Sequence, residues 1–245
     1  MDSNTLVAGK GIKRLKNAGI NVTVGVLEKE CREHHKKFFT VQDKKRPYII
    51  LKWAETRDGF IAPLAKKDQR PVWISNQYSQ QLVHKLRSKE HAILVGTNTV
   101  IFDNPKLNVR SWSGENPVRI VLDKNLRIEK NLSVFDESVK TIFITEKKEP
   151  HFKSSLDLIF ETIDYYKNIG VQICEILYKH QIQSVIIEGG LQTLQTFINE
   201  NLWDEALVFT GETEFNEGIK APVLNGIIKE MINIKTDVLK IYTND

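Results

Sequence analysis

Cysteine is scarce in this chain: there are two, Cys31 and Cys174, and no CxxC among 245 residues. That count does not indicate a disulfide framework and gives too few thiolates for a zinc site. The six histidines show no ligand spacing. His34 and His35 are adjacent, so on a helix they diverge rather than share a face. No protein-ligated metal is expected. Long apolar runs are also missing, and the opening MDSNTLVAGKGIKRL has no signal-peptide core. No membrane partner is expected, and the expected compartment is the cytoplasm. There is no basic arm: the formal charge of +4 comes from lysines and arginines spread along the chain. Nucleic acid is therefore a poor default partner, while small anionic molecules fit. Repeats, low-complexity segments and the G-x-G-x-x-G fingerprint of a standard dinucleotide fold are absent.

What is present is an ordinary globular composition, 41% apolar and 27% charged, in a chain long enough for one large domain or two small ones. Residues 1–45 read as a helix near 10–18, a short strand near 21–24 and a second helix near 27–38. Gly19 suits the stop of the first helix. This fragment is too small for its own core. The charged stretch 42–46 reads as a linker, and Pro47 restarts the chain in extended form.

From Arg46 onward strands and helices alternate. Strands are expected near 48–54, 72–74, 92–95, 118–122, 140–144, 157–161, 184–187, 205–210 and 237–242. Helices are expected near 76–88, 97–101, 168–180 and 190–200, with Ser75 as the N-cap of the first of these. Alternation of this kind argues for an α/β sheet, mostly parallel, and the helix-poor C-terminus for an antiparallel edge.

Three stretches carry candidate chemistry. In RPYIILKWAETRDGFIA (46–62) both parities of the strand are largely apolar, as in a strand covered on both faces, yet Lys52 sits in its middle. In SVIIEGGLQTL (184–194) an apolar strand ends in Glu188, then Gly189 and Gly190, then a helical pattern. Glycines let backbone approach a ligand, and a helix N-terminus offers N–H groups to phosphate. The plainer reading is a tight turn with a solvated glutamate. In AILVGTNTVIFDNPKLNVR (92–110) Thr97, Asn98 and Thr99 follow a strand, and Asp103-Asn104-Pro105 marks a turn. These polar groups either cap a helix or hydrogen-bond a dinucleotide. Arg87 and Arg110 would form a phosphate clamp only if they converge.

Taken in order, RPYIILKWAETRDGFIA, VWIS, KLRSKEHAILVGTNTVIFDNPKLNVR, PVRIVLD and SVIIEGG resemble the reductase domain of the bifunctional riboflavin-biosynthesis deaminase/reductase, over roughly residues 46–245. That family has a dihydrofolate-reductase-like fold, so the resemblance implies a three-layer α/β architecture with a central, mostly parallel sheet and an antiparallel C-terminal edge. It implies reduction of 5-amino-6-(5-phosphoribosylamino)uracil to the ribitylamino compound, with NADPH giving a hydride to ribose C1. It implies Lys52 beside the reacting ribose and Glu188 near substrate and nicotinamide. Arg87 and Arg110, with backbone near Leu107, would hold the phosphate side. Ala54, Thr56, Asp58, Thr99, Asp103, Gly189 and Gly190 would line the cofactor cleft. It also suggests a homodimer through the sheet edge. Residues 5–45 are similar to the closing segment of the partner deaminase, but its zinc motif, H-x-E with P-C-x-x-C, is not present, so no deaminase activity is expected.

Two departures stand out. Pro71 takes the place where the family commonly has a serine, so that contact is absent or supplied by another group, Ser75 among them. TRDG replaces the usual SLDG, which keeps a hydroxyl at Thr56 and adds Arg57, a solvated loop arginine or a group for a cofactor 2′-phosphate. Competing readings are a pterin or folate reductase of the same fold, and a non-catalytic half that supports a deaminase. A lysine beside phosphate-binding arginines favours a phosphorylated sugar.

Overall fold

The structure, a computed structural model, describes residues 9–65, 72–146, 155 and 157–244. Three helices come first: α1 (Lys10–Asn17), α2 (Glu28–His34) and α3 (Lys36–Lys44). Then follow β1 (Tyr48–Glu55), β2 (Phe60–Ala62), α4 (Gln77–Arg87), β3 (Ala92–Gly96), α5 (Thr97–Asp103), β4 (Val118–Leu122) and β5 (Thr141–Thr145). The rest comprises β6 (Leu158–Thr162), α6 (Ile169–Lys179), β7 (Ser184–Ile187), α7 (Leu191–Asn199), β8 (Glu205–Thr210), β9 (Ile219–Lys220), β10 (Ile227–Ile234) and β11 (Asp237–Thr243).

Nine strands form one sheet in the order β10-β11-β8-β1-β7-β3-β4-β5-β6. From β8 to β6 every pairing is parallel; β11 runs antiparallel to β8, and β10 to β11. The two faces are buried separately. Ile49, Leu51 and Trp53 of β1 join Ile173 and Leu177 of α6 and Leu194 and Phe197 of α7 in one core. Tyr48 and Ile50 join Val83 of α4 on the other face, where Ile93 and Val95 of β3 meet Val100 of α5. The result is the expected three-layer α/β architecture with its antiparallel C-terminal edge. β1 is apolar on both parities because helices cover both of its faces.

Several local expectations change. Residues 21–24 form no strand: among the described residues no neighbour pairs with them, and Val24 stays exposed. An unpaired extended segment has no ladder to hold it. Residues 72–74 are likewise outside any strand. Asn76, not Ser75, caps α4, its side chain accepting from the N–H groups of Tyr78 and Ser79. The expected linker at 42–46 is largely helix, since α3 runs to Lys44. Buried Arg46 then makes a two-pronged pair with Asp204 (2.6 and 2.9 Å), which anchors the chain where β1 begins.

Candidate active site

Lys52 lies on the α4 side of β1, one residue pair beyond Ile50 on the same face. Its neighbours explain how a central strand tolerates an ammonium. Glu188 follows β7, the strand hydrogen-bonded to β1, and its Oε2 is 3.8 Å from Lys52 Nζ. Arg87, the last residue of α4, donates from Nε to Glu188 Oε1 (2.9 Å) and from Nη2 to Oε2 (2.7 Å). The side chains of Lys52, Arg87 and Glu188 are only 15%, 12% and 8% exposed. A buried fork of this kind fixes the carboxylate plane.

The electrostatics follow from that geometry. Burial pushes Glu188 up, but Arg87 and then Lys52 outweigh it and hold the carboxyl at about 2. Glu188 is therefore an anion throughout the neutral range. Burial lowers Lys52 below the ordinary lysine value; Glu188 offsets part of this, and Arg87 adds to it. The cluster thus contains an ammonium made more acidic than usual beside a fixed carboxylate. At 3.8 Å the Lys52–Glu188 contact is an ion pair rather than a short hydrogen bond, so the ammonium retains N–H donors for a ligand.

Lys52 and Glu188 open into a cleft of about 1540 Å³ at the carboxyl ends of the parallel strands, the usual ligand-binding rim of α/β sheets. Gly190 enters α7 at φ 62° and ψ 138°, a conformation natural only to glycine, and no side chain caps that helix. The first N–H groups of α7 are thus available at the rim. A Cβ on Gly189 would come within 3.0 Å of Thr99 Oγ1 and 3.1 Å of Val95 Cγ1, so glycine lets the start of α5 lie against this turn.

A sequence model of the family described as the RibD C-terminal domain matches residues 47–211. This chain belongs to that family. The riboflavin biosynthesis protein RibD of Aquifex aeolicus is 39% identical over 225 residues, covering 89% of this chain and 61% of the relative. The RibD protein of Synechocystis is 37% identical over 193 residues, covering 78% and 52%. The chain therefore spans between half and two thirds of these relatives' length. Among solved structures, a Thermotoga maritima diaminohydroxyphosphoribosylaminopyrimidine deaminase/5-amino-6-(5-phosphoribosylamino)uracil reductase superposes with a TM-score of 0.82 at 29% identity, covering 98% of this chain and 68% of that one. The Saccharomyces riboflavin biosynthesis reductase Rib7, at 18% identity and a TM-score of 0.66, shares the fold.

The residues singled out by the RibD resemblance fall into groups. Lys52, Ala54, Ser75, Thr99, Asp103, Glu188 and Gly190 line the cleft. Gly189 is buried just behind it. Thr56 and Asp58 are not among the lining residues: the Thr56 hydroxyl bonds Asp58 and the N–H of Phe60, and Asp58 accepts from the N–H groups of Phe215 and Asn216. They hold the turn between β1 and β2 and tie it to the loop before β9. Leu107 is buried with φ 54°. Arg110 is exposed and donates to Asn108 Oδ1 (3.0 Å). Arg87 spends two of its donors on Glu188. Arg57 is exposed and lies 4.0 Å from Glu214. Pro71 lies outside the described residues.

The structure also adds residues that the sequence reading passed over. Trp73 and Phe102, both 57% exposed, present aromatic surface at the cleft. Lys124 and Arg127, in the loop after β4, line it as well; Arg127 Nη2 donates to Asn98 Oδ1 (3.0 Å), and Lys124 sits over the rings of Tyr165 and Tyr166. Two cations within four residues after a strand was the available signal.

Proposed function

We propose that this chain is the NADPH-dependent reductase acting on 5-amino-6-(5-phosphoribosylamino)uracil. The observation that carries the reading is the buried Lys52–Glu188–Arg87 cluster, opening at the carboxyl rim of the sheet into a cleft sized for a dinucleotide and a second ligand. Family membership and the activity named for the Thermotoga relative support it. A dinucleotide phosphate fits the donor set: the uncapped N-terminus of α7 and the hydroxyl and amide groups at 97–99 suit a pyrophosphate, and Lys124 and Arg127 suit a further phosphate.

The cofactor, when bound, supplies the hydride to ribose C1. Lys52 bonds the ribose oxygen that gains negative charge as its bond to C1 is lost, and its lowered affinity for a proton suits it to give that proton up. Glu188 stays ionised, stabilises the ammonium before transfer and orients it. Arg87 fixes Glu188. Arg110 stands ready for the substrate's phosphate.

Two further parts of the reading rest on exposed surface. The β10 edge carries Ile227, Ile228 and Met231, all about half exposed or more, and supports a homodimer formed through that edge. Residues 1–45 are taken as the closing segment of a deaminase domain, with the reductase unit at 46–245. Exposed Leu15, Ile20, Val24, Val26 and Leu27 suit a segment that packs elsewhere.

The test mixes protein, NADPH and the phosphoribosylaminouracil and follows loss of reduced-nicotinamide absorbance. Oxidation with this substrate is expected. Oxidation with dihydrofolate in its place, and none with the phosphoribosylaminouracil, would sink the reading.

A further inference from the structure

His84 lies three residues before Arg87 on α4, on the same helix face. It is 7% exposed and touches neither the cleft nor solvent to any extent. Its Nδ1 accepts a hydrogen bond from the backbone N–H of Arg110 at 3.2 Å. One turn on, Arg87 Nη1 donates to the carbonyl of Asn108 at 3.3 Å, and Arg110 Nη1 donates to Asn108 Oδ1 at 3.0 Å. Leu107, buried and at positive φ, plugs the start of the same loop. The segment 107–110 is thus held to α4 at its carbonyl by Arg87 and at its N–H by His84. The exposed guanidinium of Arg110 has its position set from behind.

We propose that His84 is a positioning residue for phosphate recognition: its neutral imidazole holds the Arg110 backbone, and protonation releases it. The inference rests on the reading of Arg110 as a ligand of the substrate's phosphate. The chemistry is one of proton placement. A neutral imidazole with its proton on Nε2 leaves Nδ1 free to accept; a protonated one carries N–H on both nitrogens and sets a donor against a donor. The charged groups facing the ring are Arg87 from its own helix, Arg110 from the loop and Glu188 from the end of β7. Burial, then Arg87 and Arg110, favour the neutral ring, and together they outweigh the opposing pulls of Glu188 and of a hydrogen bond to the Asn108 backbone. The holding form therefore prevails at neutral pH and is lost on acidification below the ordinary histidine value of 6.5.

The experiment compares His84→Asn, whose Oδ1 stands where Nδ1 stood, with His84→Gln, whose polar atoms lie further out. Steady-state kinetics are measured from neutral to acid pH. Wild type and His84→Asn are expected to share a substrate KM at neutral pH. His84→Gln is expected to raise it about tenfold, the worth of one lost main-chain hydrogen bond, with kcat and the NADPH KM little changed. On acidification the substrate KM of wild type should climb more steeply than that of His84→Asn. The phosphate's own titration is common to both and cancels in the comparison. Superimposable acid profiles, or a His84→Asn no better than His84→Gln, overturn the proposal. Nitrogen chemical shifts of histidine-labelled wild type give a second check without any variant: a proton on Nδ1 at neutral pH also overturns it. Arg110→Ala separates the two levels. If Arg110→Ala leaves the substrate KM unchanged, the phosphate reading fails; if it raises KM while His84 and pH have no effect, only the present inference fails.

Discussion

At the scale of single residues, Lys52 joins strand, charge and the proposed reaction. Its ammonium is tolerated because Glu188 is brought beside it by the neighbouring strand, and Glu188 is tolerated because Arg87 grips both of its oxygens. Lys52→Met is expected to lower kcat at least ~100-fold, in the range of a lost general acid, while NADPH binding by fluorescence titration stays within about threefold. An unchanged kcat would remove Lys52 from the chemistry. The two arginines, paired in the sequence reading as one clamp, separate here. Arg87→Ala strands a buried carboxylate and should cost ~3–5 kcal/mol of stability as well as activity. Arg110→Ala should leave stability nearly unchanged and weaken substrate binding by ~1.5–3 kcal/mol. Equal melting temperatures for both variants would contradict this division. Glu188 also predicts an acid limb. Its folded value of about 2 lies below the ordinary 4.5. The stability it contributes is therefore present above 4.5 and lost as pH falls toward 2, on the order of 3 kcal/mol. Urea titrations at neutral and acid pH should show wild type losing more on acidification than Glu188→Gln; parallel losses would count against the assignment.

At the scale of elements, the site is an arrangement of strand ends and helix starts, and this governs what was legible in the sequence. Strands at the centre of the sheet, β1, β3, β4, β7 and β8, announce themselves as apolar runs because both of their faces are covered. Lys52, Glu188 and the glycine pair stood out as breaks in such runs. β10 carried no such signal: it is an edge strand, mostly exposed, so its residues obey no burial pattern. Nor did the sequence show that Thr56 and Asp58 turn toward the loop at 213–216, since that loop is distant in the chain. Gly211 is another contact of this long-range kind. A Cβ there would lie 2.0 Å from the carbonyl oxygen of Ile74, so glycine is what lets the 72–75 segment cross the end of β8 and bring Trp73 to the cleft. Gly211→Ala is expected to destabilise the fold by ~1–3 kcal/mol through overpacking and to raise the NADPH KM. Chemical denaturation and kinetics check both; a variant with wild-type stability and wild-type cofactor KM would show that the crossing has slack.

At the scale of the whole molecule, the nine-stranded sheet has two unequal ends. β6 closes one; β10, with its apolar residues outward, closes the other among the described residues. If copies pair through this edge, as proposed, wild type sediments as a dimer and Met231→Lys is expected to shift it toward monomer; a wild-type monomer, or a variant dimer unchanged, would overturn the edge contact. The sheet order has one more consequence, and it concerns synthesis rather than catalysis. Within this sheet β1 precedes the other strands in the chain, yet its partners are the late strands β7 and β8: Tyr48 pairs with Ser184, and Ile50 with Glu205. A nascent chain must therefore carry YIILKWA without either neighbour until most of the polypeptide has left the ribosome. Such non-local pairing is slow, and a naked apolar strand invites association with other chains. Lys52, the charge inside that strand rather than at its end, where Glu55 stands, interrupts the apolar run during this interval, as gatekeeper charges do. The residue that lines the finished cleft thus also breaks the apolar run of the unfinished strand.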